Sequence, residues 1–193
     1  MAAANGPPAR PLQTGQTSCY DASGNLSNTI PCAGTGQDGA TQTGVVRRYI
    51  DNGDGTITDT QTGLMWEKKS NDGGIHNTGN QYTWSDAFAV FITALDSAQF
   101  AGHSDWRLPN VNELQSIANY GTTYPAVDAV FNTSCAATCT VTTCSCTSSY
   151  FYWSSTTSQG TTTTAWAVYF VDGYVDSPSK TLSNYVRAVR GGL

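Results

Sequence analysis

The chain has 193 residues, which suits one domain of ordinary size plus an extension. Hydrophobic residues make up 39%, enough for a real core, but charged residues only 12%, about half the usual share. A net charge of -5 supplies no basic stripe for a nucleic-acid duplex, and no apolar run approaches the ~20 residues of a membrane helix, so nucleic-acid binding and membrane insertion are not expected.

The first segment, residues 1–44, reads as an N-terminal tail or arm. Pro7, Pro8 and Pro11, with many Gly, Thr and Gln, give no periodicity. Met1–Gly6 lacks the charged start and apolar stretch of a secretory leader. Low charge with much Thr, Ser, Gly and Tyr still points to an exported β-rich binding protein, placed outside the cell, on a cell surface or on a virion.

The domain proper, residues 45–193, opens with a strand over Val45–Ile50. Asp51-Asn-Gly-Asp-Gly55 then supplies the positive φ that a tight turn needs, and Thr56–Asp59 returns as a second strand. A turn at Thr60–Gly63 leads to a third strand, Leu64–Lys68. The DNGDG run also resembles a calcium loop, but it lacks the far bidentate Glu of an EF-hand. The hairpin accounts for every residue in it without a metal, so no cofactor is expected.

Two helices follow. Thr83 caps the first with Asp86 as reciprocal partner, and Trp84, Phe88, Phe91, Ile92 and Leu95 fall at helical spacing. Asn110 and Glu113 form a capping box for the second, whose apolar face is Val111, Leu114, Ile117 and Ala118, with Gly121 as its stop. Past a loop-rich stretch, Thr122–Ser149, the apolar period becomes two. Residues 166–170 and 174–176 read as a hairpin and Tyr185–Arg190 as a final strand. Strands, two helices, long loops and strands again give an α+β fold with a mostly antiparallel sheet.

Six cysteines in two local groups read as disulfides of an oxidising compartment. Cys19 and Cys32 would staple a short loop. Cys135, Cys139, Cys144 and Cys146 allow three pairings, of which the nested one, 135 with 146 and 139 with 144, is preferred. A four-thiolate zinc site is the competing reading: the first gap fits zinc-ligand spacing, whereas the Cys-x-Cys end fits poorly.

Five ordered motifs carry a resemblance. They are DNGDGTITD (51–59), GLMW (63–66), DWRLPN with Glu113-Leu114 (105–114), YWSST (152–156) and YVRAVRGG (185–192). Together they resemble the family named for the C-terminal domain of the Legionella collagen-like adhesin. The resemblance implies a C-type-lectin-like fold, in which N- and C-terminal strands pair, two helices flank the sheet and a long excursion carries the ligand face. The family also includes target proteins of diversity-generating retroelements, in which adenine-bearing codons of a C-terminal segment are rewritten.

Tyr150–Asn184 has the composition such rewriting predicts. Ser158, Thr163, Thr164, Ala167, Tyr169, Asp172, Tyr174, Asp176, Ser177, Ser179, Ser183 and Asn184 interleave with Trp153, Trp166, Val168, Phe170 and Val175. The small polar and tyrosine residues are the expected ligand-binding face, since paratopes favour those types; the large apolar residues are the expected core. Trp106 and Trp153 read as core plugs, and Arg107, Arg187 and Arg190 as loop locks. The leading function is therefore a non-enzymatic module that binds a protein or glycan on a cell or host surface. Alternatives are a carbohydrate-binding adhesin domain, although the Glu-Pro-Asn and Trp-Asn-Asp signatures of calcium-dependent lectins are absent, and a virion or surface assembly protein that oligomerises through residues 1–44. The formylglycine-generating enzymes resemble the same fold, but the cysteines read as staples and only His76 and His103 offer imidazole, so catalysis is not expected.

Overall fold

The computed structural model describes residues 11–23 and 28–192. Pro7 and Pro8 of the expected tail lie outside them. Residues 11–44 lie against the domain in part: Gln13 N donates to Val45 O (2.9 Å), Val45 N to Pro11 O (2.9 Å) and Tyr120 N to Thr14 O (2.8 Å). This segment carries a two-stranded ribbon, β1 (Cys19–Tyr20) with β2 (Thr29–Ile30), and a short helix α1 (Asp38–Thr41).

The next three strands, β3 (Tyr49–Asp51), β4 (Thr56–Asp59) and β5 (Leu64–Glu67), form an antiparallel meander. The first starts later than the sequence suggests, because the arm takes the backbone groups of Val45. The carboxylates of the DNGDG turn bond within the hairpin. Asp51 Oδ1 accepts from Gly53 N and Asp54 Oδ1 from Thr56 N, each at 3.0 Å, while Asp51 Oδ2 pairs with Lys68 Nζ at 2.7 Å. The C-terminal strand β9 (Val189–Gly191) adds antiparallel to β5, so the sheet order is β3-β4-β5-β9.

The first helical run is continuous but not uniform: α2 (Trp84–Asp86), a π-helical segment (Ala87–Ile92) and α3 (Thr93–Ser97). Thr83 caps it by accepting from Asp86 N at 3.2 Å. The second helix, α4 (Val111–Ser116), has the full capping box. It ends at the Ile117 C-cap, short of Gly121, because Ala118 and Asn119 turn aside to pair with Val127 and Ala126. Arg47 closes that end, donating to Ser116 O at 3.1 Å and to Ala118 O at 2.8 Å.

A second sheet, β6-β7-β8, comprises β6 (Phe151–Thr157), β7 (Ala165–Tyr169) and β8 (Tyr174–Asp176), all antiparallel. The expected final strand is divided between the two sheets. Asn184 pairs with Tyr82 and Tyr185 with Tyr152, beside β6, before the chain crosses to β9. Together these elements make a mixed helix-and-sheet, α+β architecture.

Both faces of the second sheet are covered. Tyr152, Val168 and Phe170 join Trp66, Leu114, Phe131 and Val189 in one core cluster. Trp153, Ala165 and Ala167 join Phe91, Leu95, Trp106 and Leu108 in another, under the helical run. Trp106 and Trp153 are buried, whereas Trp166, Val175 and Tyr185 are only half-buried. At ~25 cal/mol per Å² of apolar area removed from water, each large plug contributes several kcal/mol before conformational entropy is charged against it.

Candidate ligand-binding face

The twelve expected contact residues do not share one environment. Thr163, Asp172, Tyr174, Asp176 and Ser183 are exposed, and Thr164, Tyr169, Ser177 and Ser179 are half-buried. Ser158, Ala167 and Asn184 are buried, which removes them from a contact face. Ala167 is 0% exposed because β7 is the central strand and its second face lies under the helical run; a small side chain is what fits beside Trp153. Asn184 serves the backbone ladder, exchanging hydrogen bonds with Tyr82 at 2.9 and 3.0 Å. Ser158 is tied through its N–H to Thr164 O at 3.1 Å.

The remaining nine fall into two patches at opposite ends of β7 and β8. From Ala165 to Tyr169 is four residue steps, or about 13 Å at ~3.3 Å per residue. At one end Thr164 bridges Ser179, Lys180 N donates to Thr163 O (2.9 Å), and Ser179 Oγ lies 2.9 Å from Thr181 Oγ1. Lys180 is held there too, 3.9 Å over the Trp84 ring with Nζ donating to Thr157 Oγ1 at 2.8 Å.

The other end is aromatic. Register places Phe151, Tyr169 and Tyr174 in one cross-strand row, and directly opposed residues of a sheet point to the same side. The Tyr150 ring meets Phe151, Tyr169 and Tyr185 edge-on, at 5.7, 5.6 and 6.2 Å between centroids. Because β8 is an edge strand, Tyr174 remains 56% exposed, and Tyr150 is 47% exposed.

Two further tyrosines reach the same turn from a distant segment, beyond the reach of local sequence reading. Tyr124, 73% exposed, donates its N–H to Val171 O at 3.0 Å. Tyr120 contacts the turn through its hydroxyl, 3.4 Å from Gly173 O, and itself accepts from Gln115 Nε2 at 3.0 Å. Gly173 has φ +87°, and a Cβ there would lie 2.7 Å from the Tyr120 ring, so the turn requires glycine. Asp172 Oδ1 fixes the next residue by accepting from Tyr174 N at 3.0 Å.

A buried polar centre lies at the end of β5. Glu67 is fully buried and accepts from Lys69 Nζ (3.1 Å), His76 Nδ1 (2.8 Å) and Ala188 N (2.9 Å). Burial pushes its carboxyl up, but the Lys69 ammonium and the other donors outweigh that and hold it below the usual carboxylate range. Arg187, 0% exposed, donates to Glu67 O (2.8 Å), Cys146 O (2.7 Å) and Thr147 Oγ1 (2.8 Å), which ties the cysteine loop to β5. Nearer the surface, Arg107 binds Glu113 in a two-point pair at 2.7 Å each, and Arg190 binds Asp105 at 2.7 and 3.2 Å. The three arginines thus act as locks. Sequence reading did not anticipate the burial of Glu67, Lys69 and Lys68, since a Glu-Lys-Lys run resembles a solvated strand end.

All six cysteines are paired: Cys19 with Cys32, Cys135 with Cys146 and Cys139 with Cys144. The nested arrangement is the one present, and it consumes the thiolates that the zinc reading needs.

No curated protein matches the chain. The family model of the Lcl C-terminal domain matches residues 55–190, from the β3–β4 turn into β9, and so takes in the first sheet except β3, the whole second sheet, both long helical segments and the cysteine loop. With more than half its length matched, the chain belongs to the Lcl C-terminal domain family.

Proposed function

We propose that the chain is an adhesin-like, non-enzymatic binding module whose contact face is the tyrosine-bearing end of the second sheet. One observation carries the reading: Tyr120, Tyr124, Tyr150, Tyr169 and Tyr174, from three separate stretches, converge on the β7–β8 turn, whose strands are fixed by cores. Rigid amphipathic rings give contact area at low entropic cost. The ligand is a protein or a glycan on a cell or host surface. Three disulfides support an oxidising setting outside the cell, and no helix among the described residues is long and apolar enough to cross a membrane.

The pairing of β9 with β5 and the two flanking helical segments support a C-type-lectin-like frame. Diversification is part of the same proposal, narrowed to the exposed and half-buried positions: Tyr169, Asp172 and Tyr174 at the turn, with Thr163, Thr164, Asp176, Ser177, Ser179 and Ser183 toward the other end of the strands. A reverse-transcriptase gene beside a near-copy of the 3′ end of this gene would support it. Neighbouring DNA without either would end it.

The binding test uses the labelled chain on glycan arrays and intact cells. Replacing Tyr124, Tyr169 and Tyr174 together by Ala is expected to weaken binding at least tenfold, while Val90→Ser, at an exposed position on the helical run, leaves it unchanged. Full binding by the folded triple variant rejects the face.

A further inference from the structure

The two nested disulfides bring four sulfur atoms into one cluster. Cys139 Sγ lies 3.9 Å from Cys146 Sγ, and Cys146 Sγ lies 3.9 Å from Cys144 Sγ, although neither pair is bonded. The sulfurs of Cys135, Cys139 and Cys146 all lie within 4.8 Å of one another. A zinc tetrathiolate has Zn–S bonds of about 2.3 Å, so its tetrahedral S···S edges are about 3.8 Å. Two of the four non-bonded separations match that edge, Cys135 and Cys139 lie within 4.8 Å of each other, and Cys144, outside that group, has to close on Cys135 when the disulfides open.

Hydrogen bonds other than the disulfides also hold the backbone of Cys139 and Cys146. Cys139 O accepts from Asn71 N (2.9 Å), Thr138 N donates to Asn71 O (2.8 Å), and Cys146 N donates to Lys69 O (2.9 Å). Arg187 Nη2 donates to Cys146 O at 2.7 Å. Between Cys144 and Cys146, Ser145 exchanges two hydrogen bonds with Thr133 at 2.8 and 2.9 Å, so the Cys-x-Cys end is extended and its two sulfurs are neighbours. The objection that this spacing fits zinc poorly therefore does not apply to the folded loop. Two buried cations, Lys69 and Arg187, stand against one buried carboxylate, Glu67, on the elements that hold Cys146. With Lys69 paired to Glu67, that excess of one positive charge offsets half of the 2− of a tetrathiolate.

We propose that Cys135, Cys139, Cys144 and Cys146 form a redox-exclusive metal site: two disulfides when oxidised, one tetrahedral zinc tetrathiolate when reduced. Two equivalents of a dithiol reduce the two disulfides, each leaving as a cyclic disulfide and giving two protein thiols. One Zn²⁺ then forms four Zn–S bonds and releases four protons. The loop is thereby pinned to β5 in a reducing compartment as well as in an oxidising one.

The test uses the full chain, reduced with a phosphine, desalted without oxygen and titrated with Co²⁺. The expected result is one Co²⁺ per chain with the intense visible and sulfur-to-metal bands of a tetrahedral thiolate complex, displaced by one Zn²⁺. A Cys19→Ser, Cys32→Ser variant should bind equally well. Cys144→Ser should bind at least tenfold more weakly and lose the four-sulfur spectrum. The same reduced chain in denaturing urea should also bind at least tenfold more weakly, since the fold places the sulfurs. Circular dichroism should show the zinc-loaded reduced chain folded. The proposal fails if no such bands appear, if they need Cys19 or Cys32, if Cys144→Ser binds as before, if urea leaves the affinity unchanged, or if the zinc-loaded chain is unfolded.

Discussion

Replacing Arg187 by Met tests how much this one side chain contributes to holding the cysteine loop. Met keeps the apolar stem and removes the guanidinium with its three hydrogen bonds to Glu67 O, Cys146 O and Thr147 Oγ1. Hydrogen bonds to a charged group contribute about 1.5–3 kcal/mol each, so the gross loss is roughly 4.5–9 kcal/mol. Relief of guanidinium desolvation offsets part of it, and Arg187 Nε, buried without a partner, enlarges that offset. The net cost is then about 3–5 kcal/mol, the range found when one member of a buried charged set is removed. For a chain of this size each kcal/mol lowers Tm by roughly 2–4 °C, so a fall of about 6–20 °C is expected. Arg187→Lys keeps the charge but not the fork, and should lie between Met and the native residue. The assay is equilibrium urea unfolding with the disulfides intact, followed by tryptophan fluorescence and checked by thermal scanning. A Met variant within about 1 kcal/mol of the native chain, below the value of even one such bond, would refute the reasoning. So would a Lys variant as stable as the native chain.

Glu67 has a folded-state carboxyl held below its unfolded value, so its stabilisation is present above the ordinary carboxylate range and is lost as pH falls through the folded value. Tm should therefore drop below about pH 4, and Glu67→Gln, though less stable at neutral pH, should show a flatter acid limb; parallel limbs from pH 7 to 3 would contradict this. Ala167→Tyr should cost about 1–3 kcal/mol or more by overpacking, whereas Tyr174→Ala, at an exposed edge, should stay within about 0.5 kcal/mol, both read by urea unfolding. Equal effects at the two sites would show that β7 is not covered on its second face.

Local signals were readable in the sequence wherever the physics is local. The Asn110–Glu113 capping box, the Asn-Gly and Asp-Gly turns and the nested cysteine pairs each depend on residues close in the chain, and all are present. What depended on tertiary packing was not readable. Alternation along Ala165–Tyr169 tells which residues share a side, but not that both sides are covered, so Ala167 looks like surface until the helical run is placed over it. Small polar residues are equally ambiguous: Asn184 and Thr163 are similar in type, yet one completes a backbone ladder and the other is exposed. Tyr120 and Tyr124 belong to a loop whose partner turn is about fifty residues away, a separation over which periodicity carries no information. α4 stops short of Gly121 because Ala118 and Asn119 pair with a later loop and Arg47, from another segment, takes the carbonyls of Ser116 and Ala118.

The division between frame and contact face follows from where the backbone hydrogen bonds go. Around the β7–β8 turn, Phe170 N bonds to Tyr150 O, Gly173 N to Tyr169 O and Tyr124 N to Val171 O, all at 2.9–3.0 Å. None of these bonds uses the side chains of Tyr124, Tyr150, Tyr169 or Tyr174. Those rings can therefore be exchanged for other groups while the turn keeps its shape. Beneath them Tyr152, Val168 and Phe170 face one core and Trp153 and Ala167 the other, so their exchange would disturb packing on both sides of the sheet. Gly173 belongs with the frame although it lies within the face, since any side chain there meets Tyr120 in a backbone conformation that favours glycine. On the proposed face, single side chains are thus open to exchange, and the covered strand and the glycine set the limits of that exchange.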